Sequence, residues 1–303
     1  MYDVAIIGGG PAGLSASLYA GRAGLSCILF EKLFFGGQML KTSEVDNYPG
    51  APFIRDVYAF SEAMHQQAAA FGAEFKTETV LEVRTQENVK ILVTKNGEYH
   101  AKTLILATGA FPKKLGVLGE EEFSGKGVSY CATCDGAFFK NKTAVVVGGG
   151  DTALEDALFL SAICKQVTII HRRSSFRGAH HLYQRAKNQE NIQFMLDSVV
   201  TEIKGSSVVE EIEVMHVESE EKQCIKTDAV FIAIGTTPDS ELFSSLVTLD
   251  KNGYVITDDT LQTSADGIFA AGDVRQKALR QIITATADGA EAIYNIQRYL
   301  LET

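Results

Sequence analysis

Apolar runs without polar interruption mark out this chain, and two of them open the same repeated unit. The first unit reads Asp3-Val4-Ala5-Ile6-Ile7, then Gly8-Gly9-Gly10-Pro11-Ala12-Gly13, a helical stretch, and Ser26-Cys27-Ile28-Leu29-Phe30-Glu31. The second reads Thr143-Ala144-Val145-Val146-Val147, then Gly148-Gly149-Gly150-Asp151-Thr152-Ala153, a helix, and Gln166-Val167-Thr168-Ile169-Ile170-His171. A strand covered on both faces needs apolar residues at every position, so these runs predict parallel strands flanked by helices. Leu104-Ile105-Leu106-Ala107-Thr108-Gly109 and Val230-Phe231-Ile232-Ala233-Ile234-Gly235 form a second matched pair, each followed by a proline, Pro112 or Pro238. Residues 75–100 instead alternate, and Val89–Val93 before Asn96-Gly97 predicts a hairpin in a small layer.

The turn in each unit has the spacing G-x-G-x-x-G/A. Such glycines allow a tight turn and let the backbone approach a pyrophosphate, whose charge sits at the helix N-terminus. One copy is weak evidence. Two copies, each closing its second strand at the same distance, predict two dinucleotide sites. The fold class expected is α/β, with two Rossmann-like, three-layer domains built on parallel sheets with a small antiparallel layer. Chain crossings are placed just after Pro112 and Pro238, and Gly267-Ile268-Phe269-Ala270-Ala271-Gly272-Asp273 returns to complete the first domain. Residues 1–113 and 240–303 are then one domain, with residues 114–239 inserted into it.

The two units differ at the end of the second strand. Glu31 closes the first, where a carboxylate accepts hydrogen bonds from ribose hydroxyls. His171 closes the second, followed by Arg172, Arg173 and Arg177. Guanidinium groups bind a 2′-phosphate bidentately where a carboxylate would repel it, so the second site is expected to prefer NADPH to NADH.

Bulk properties narrow the class. The 303 residues suffice for two domains, and 46% hydrophobic with 22% charged residues is a globular composition. A net charge of −10 argues against nucleic acid or an anionic membrane as the main partner. No apolar run approaches the roughly 18 residues of a membrane span. With no basic leader before the strand at Asp3, a cytoplasmic location is expected.

Among five cysteines, Cys27, Cys164 and Cys224 are scattered, which argues against a disulfide scaffold. Cys131-Ala132-Thr133-Cys134 is different, because Asp135-Gly136 follows at once and the second glycine turn lies shortly downstream. Half a zinc site would need a second ligand pair with metal spacing, and no such pair exists. A two-residue spacer sets both sulfurs on one helical turn, closing a ring too small to add much stability. Such a ring opens and closes without loss of the fold, and a helix N-terminus would favour the thiolate. Asp135 is a candidate proton donor and acceptor for the leaving thiol.

The sequence resembles the low-molecular-weight thioredoxin reductases. The match rests on Gly36-Gly37-Gln38 with Glu44-Val45-Asp46-Asn47-Tyr48-Pro49-Gly50, the Cys131–Gly136 motif, His171-Arg172-Arg173 with Phe176-Arg177, and Ala270-Ala271-Gly272-Asp273-Val274 followed by Arg280-Gln281. The resemblance implies FAD in the discontinuous domain and NADPH in the inserted one. By position, Gly8, Gly10, Pro11, Ala12, Gly13, Glu31, Gly36, Gly37, Gln38, Asn47, Thr108 and Gly109 would surround FAD. So would Gly272, Asp273, Arg280, Gln281 and Ile282, with Asp273 at the ribityl chain or pyrophosphate and Gln281 by the flavin ring. Gly148, Gly150, Asp151, Thr152, His171, the three arginines, Ile234 and Gly235 would hold NADPH. The resemblance further implies a homodimer, thioredoxin as protein partner, contact between Cys134 and the flavin, and attack by Cys131 on the partner's disulfide. Hydride would pass from NADPH to FAD, and two electrons onward through the Cys131–Cys134 disulfide to thioredoxin.

Other readings keep part of this chemistry. Another redoxin-like or small disulfide acceptor would use the same dithiol. A flavoprotein serving ferredoxin would not need the C-x-x-C, and a redox sensor would bind both nucleotides without turnover. The order of the motifs also carries a mechanical expectation. The dithiol and the nicotinamide site share the inserted domain, so that domain is expected to swing about the crossings near Pro112 and Pro238.

Overall fold

The computed structural model describes residues 1–41, 45, 47–51 and 54–302. Two compact units divide the chain, Met1–Phe111 with Thr237–Thr303, and Pro112–Thr236. No helix among the described residues is long and apolar enough to cross a membrane.

The first stretch contains β1 (Tyr2–Ile7), α1 (Pro11–Arg22), β2 (Cys27–Glu31), α2 (Val57–Ala70), β3 (Glu74–Thr77), β4 (Glu82–Gln86), β5 (Val89–Thr94), β6 (Gly97–Leu106) and β7 (Ala110–Pro112). Strand β1 runs parallel to both of its neighbours, β2 and β6. The uninterrupted apolar run has a direct cause: Val4 and Ile6 enter one core, Ala5 and Ile7 the other, on opposite faces of the sheet. Strand β6 changes partner along its length. Its first half pairs antiparallel with β5 across the Asn96-Gly97 turn, and its second half runs parallel to β1.

The inserted stretch contains β8 (Val128–Ser129), α3 (Ala132–Asp135), β9 (Thr143–Val147), α4 (Asp151–Ser161), β10 (Gln166–Ile170), α5 (His180–Lys187), β11 (Ile192–Met195), β12 (Ser198–Gly205), β13 (Val209–His216), β14 (Lys222–Lys226), β15 (Ala229–Ile232) and β16 (Thr236–Pro238). Its parallel sheet has the order β11-β10-β9-β15-β8. Val146, Ile169 and Phe231 pack with α4 on one face, while Val145, Ile170 and Val230 pack with Val200, Ile212 and Val214 on the other. Those last three belong to an antiparallel layer, β12-β13-β14, that the sequence reading did not find. A register break between Val200 and Glu202 interrupts the alternation that would have announced it. The crossing strands β7 and β16 pair with each other.

The returning stretch adds β17 (Ile268–Ala270) and α6 (Ile282–Glu302). Strand β17 joins the first sheet parallel to β6, pairing Ile268 with Leu104 and Ala270 with Leu106. Helix α6 shares a core with α1 through Ala285, Ala292, Ile293 and Ile296. The first unit is thus completed by residues far apart in sequence.

Candidate active site

In the first unit the chain leaves β1 through Gly8 at φ 111. A Cβ there would lie 2.2 Å from the Ala107 carbonyl oxygen, so only glycine fits. Pro11 opens α1, and Gly10 at its N-cap provides no capping side chain. Ala12 and Gly13 are buried, packing the start of α1 closely on the sheet. The first-turn N–H groups of α1 are therefore left for another acceptor. Glu31 is clamped beside them: its Oε2 accepts from Gly9 N–H at 2.8 Å and its Oε1 from Leu33 N–H at 3.0 Å. Gly36 N–H donates to the Gly9 carbonyl at 2.7 Å, bringing the next loop alongside. A Cβ on Gly37 would lie 3.1 Å from the Gly10 Cα, so two strips of bare backbone face each other, with Gln38 half-buried beside them. This cradle fits a dinucleotide pyrophosphate.

The returning segment supplies a second fit. Asp273 Oδ1 is buried and has no hydrogen-bond partner among the described residues. Burial raises the pKa of this carboxyl, while Lys277 and Arg280 oppose the rise and Asp288 adds to it. An orphaned buried acceptor suits a hydroxyl donor such as the ribityl chain of FAD. The Arg280 guanidinium lies 4.1 Å from the Tyr254 ring centroid, and its Nε donates to the Asp273 carbonyl at 3.4 Å. Asn47 Nδ2 donates to Gln281 Oε1 at 2.9 Å, joining two predicted site residues from opposite ends of the unit. Ile282 packs with Met39, Val45 and Val57. The Thr108 hydroxyl and the Gly109 carbonyl both bond the Asp239 backbone, so this turn anchors the returning chain. Glu44 and Asp46 of the motif lie outside the described residues.

The second unit repeats the arrangement with different side chains. Gly148 leaves β9, and Gly150 N-caps α4 without a side-chain cap; Thr152 is exposed in the first turn. Asp151 Oδ1 accepts from Ala179 N–H at 2.6 Å, and the Gly149 carbonyl accepts from Arg177 N–H at 2.8 Å. The loop after β10 is thereby laced to the glycine turn. Arg172, Arg173 and Arg177 present exposed side chains from it. His171 does not. Its ring is buried, stacked 5.1 Å from Phe176, and Nε2–H donates to the Ser175 carbonyl at 3.1 Å. Burial lowers its pKa, and the three arginines act in the same direction. A Cβ on Gly149 would lie 2.1 Å from this ring, so a neutral imidazole supports the turn from beneath. Ile234 is half-buried and Gly235 exposed, with the Gly235 carbonyl accepting from Lys113 N–H at 2.9 Å.

Cys131 and Cys134 are joined in a disulfide, with their Cα atoms 5.3 Å apart. The helix after Cys131 is shorter than the sequence reading implies. It is one turn, Ala132–Asp135, continuing as a 3-10 turn over Gly136–Phe139. So short a helix sums few peptide dipoles, and the local donor matters more. Cys134 N–H donates to the Cys131 sulfur at 3.2 Å. Asp135 Oδ2 accepts from the Ser129 hydroxyl at 2.6 Å, and Ser129 Oγ accepts from Cys131 N–H at 3.1 Å. Ser129 therefore bridges the carboxylate to the dithiol backbone. Sequence reasoning missed it, because a serine in a short strand has no motif.

Helix α3 packs on α4, where Ala132 joins Ala153, Ala157 and Leu160. Asp156 lies between Ala153 and Leu160 on that helix. Burial, with a smaller contribution from Glu155, pushes its carboxyl up to about 7. A raised carboxyl pKa makes the folded state bind a proton that the unfolded chain has already lost. Stability from this group is hence lost as pH rises from about 4 through about 7. Asp156→Asn is expected to remove that loss, gaining about 2–3 kcal/mol at pH 8 relative to pH 5. Urea midpoints of both proteins at the two pH values check it, and parallel pH profiles would count against a half-buried Asp156 that holds its proton.

The sequence pattern of the pyridine nucleotide-disulphide oxidoreductases matches residues 2–289, and the chain belongs to this family. Its relatives include thioredoxin reductases. That of Peptoclostridium litorale is 44% identical over 308 residues, covering 100% of this chain and 98% of the relative. That of Bacillus subtilis (strain 168) is 44% identical over 303 residues, covering 100% and 95%. Among solved structures, thioredoxin reductase from Streptococcus pyogenes MGAS5005 superposes with a TM-score of 0.95 at 42% identity, covering 100% of this chain and 99% of that one. The Lactococcus lactis thioredoxin reductase in its FR conformation superposes with a TM-score of 0.69 at 41% identity, covering 100% of both chains.

Proposed function

We propose that this chain is a thioredoxin-disulfide reductase that takes electrons from NADPH by way of FAD and the Cys131–Cys134 disulfide. The observation that carries the reading is that disulfide, closed one short segment before the uncapped glycine turn of the same unit. The first unit would hold FAD between the Gly10 and Gly37 backbones, with Glu31 and Asp273 as acceptors for its hydroxyls. The second would hold NADPH at the start of α4, with the exposed arginines at its 2′-phosphate.

Bound flavin and nicotinamide supply the conversion of a hydride into an electron pair. The protein's residues do the rest. Two electrons and two protons open the Cys131–Cys134 bond to a dithiol. One thiolate attacks a sulfur of the partner's disulfide, forming a mixed disulfide and expelling the other sulfur, which takes a proton. The second cysteine then attacks the mixed disulfide, so the intramolecular bond re-forms and the partner leaves as a dithiol. Negative charge on the Cys131 sulfur is supported by Cys134 N–H. Asp135, held through Ser129, is placed to give or take the proton.

A homodimer, a cytoplasmic location and a swinging inserted unit belong to the same reading. The swing is supported by the placement of the disulfide and the second glycine turn in one unit, which would have to offer both to the flavin of the other. The test is direct. The purified protein should be yellow with bound flavin, and should oxidise NADPH, in preference to NADH, when thioredoxin disulfide is added. Turnover with a different disulfide protein but not thioredoxin would move the assignment to that acceptor, and a colourless protein would sink it.

A further inference from the structure

Asp288 in α6 bears a heavy load for a buried carboxylate. Among the described residues it accepts from Gly272 N–H at 2.8 Å, Arg275 Nε at 2.9 Å, Arg275 Nη2 at 3.2 Å and Lys277 Nζ at 2.8 Å. Its side chain is 7% exposed and that of Lys277 is 8% exposed. Lys277 also donates to the Thr284 carbonyl at 3.2 Å, and Arg275 Nη1 to Thr257 Oγ1 at 3.3 Å. Two cations on one carboxylate leave a buried excess of positive charge. Such an excess is costly unless an anion lies near it. Asp273 also acts on the cluster, and burial pushes that carboxyl toward its neutral form. Arg280 adds a further cation beside it.

The excess sits behind the turn where Asp273 Oδ1, a buried acceptor, lacks a partner among the described residues. A ligand with permanent negative charge, and more on reduction, would balance it. FAD has both properties. Resting on the proposal that the first unit binds FAD, we infer that Arg275 and Lys277, clamped by Asp288, form a buried cationic support for the flavin. It fixes the Gly272–Asp273 turn through the Gly272 N–H and raises the flavin's midpoint potential. Electron uptake adds negative charge, and a fixed cation in a low-dielectric surrounding favours the charged, reduced form. These are positioning residues, since they act through the turn and through their field.

The sign of the effect separates this role from plain structural support. In the purified holoprotein, Lys277→Gln is expected to move the flavin midpoint potential to a more negative value. It should also raise the FAD dissociation constant of the apoprotein about tenfold, because the Gly272–Asp273 turn and the field at the flavin both lose support. Lys277→Arg should restore both, because it keeps the charge. Asp288→Asn breaks the same clamp but removes a negative charge, so the potential should move the opposite way. If Asp288→Asn does not fold, the two Lys277 variants still decide the matter. An unchanged potential in Lys277→Gln, or equal shifts in the Gln and Arg variants, would overturn the inference while leaving a yellow wild-type protein and the FAD assignment intact. A wild-type protein without flavin would overturn both.

Discussion

Replacing Cys134 with serine is expected to abolish disulfide reduction while leaving flavin bound and still reducible by NADPH. Serine has nearly the size of cysteine, and Cys134 sits in a single helical turn whose backbone bonds do not need its sulfur. The ring closed by the disulfide spans so few residues that its loss removes little stability. The chemistry, by contrast, has no substitute. A hydroxyl forms no disulfide, and its oxygen is scarcely ionised where a thiol is partly thiolate. Thioredoxin-dependent NADPH oxidation should fall to background, whereas anaerobic bleaching of the flavin by NADPH should persist. Cys131→Ser should give the same split. A variant that kept full thioredoxin turnover would remove the dithiol from the reaction.

The second large effect concerns the exposed arginines. Changing Arg172, Arg173 and Arg177 together to alanine is expected to raise KM for NADPH about a hundredfold or more and leave that for NADH nearly unchanged. Each charge-assisted contact to a 2′-phosphate contributes about 1.5–3 kcal/mol, less where neighbours compensate. The loop itself should survive, because it is held to the glycine turn by backbone groups, Arg177 N–H to the Gly149 carbonyl among them. His171 offers the contrast. Buried against Gly149 and stacked on Phe176, its loss should weaken both cofactors alike by deforming the turn. Steady-state kinetics with the two nucleotides separates the cases. Equal losses in the arginine variant would mean that these side chains do not read the phosphate.

Much of this architecture was legible before any coordinates. Continuous apolar runs, two glycine turns in register and a C-x-x-C beside one of them depend on spacing within a few residues, which a sequence displays directly. They determined the α/β class, the duplicated unit and the candidate chemistry. The difference between Glu31 and the arginine-rich end of the second unit is equally local.

Only the tertiary structure decided how those groups are supported. Asn47 meets Gln281, and Asp288 meets Gly272, because separate stretches converge on one sheet, and no local period records that. His171 stands at the position where a cofactor would be read, yet packing turns its ring inward while its arginine neighbours face solvent. Ser129 links Asp135 to Cys131 within six residues, but the folded turn selects it, since no motif marks a serine there. The antiparallel layer escaped because its bulge breaks the alternation by which strands are recognised. Covalent spacing is written along the chain. Burial, charge compensation and the partner of each polar atom arise only when distant segments exclude water together.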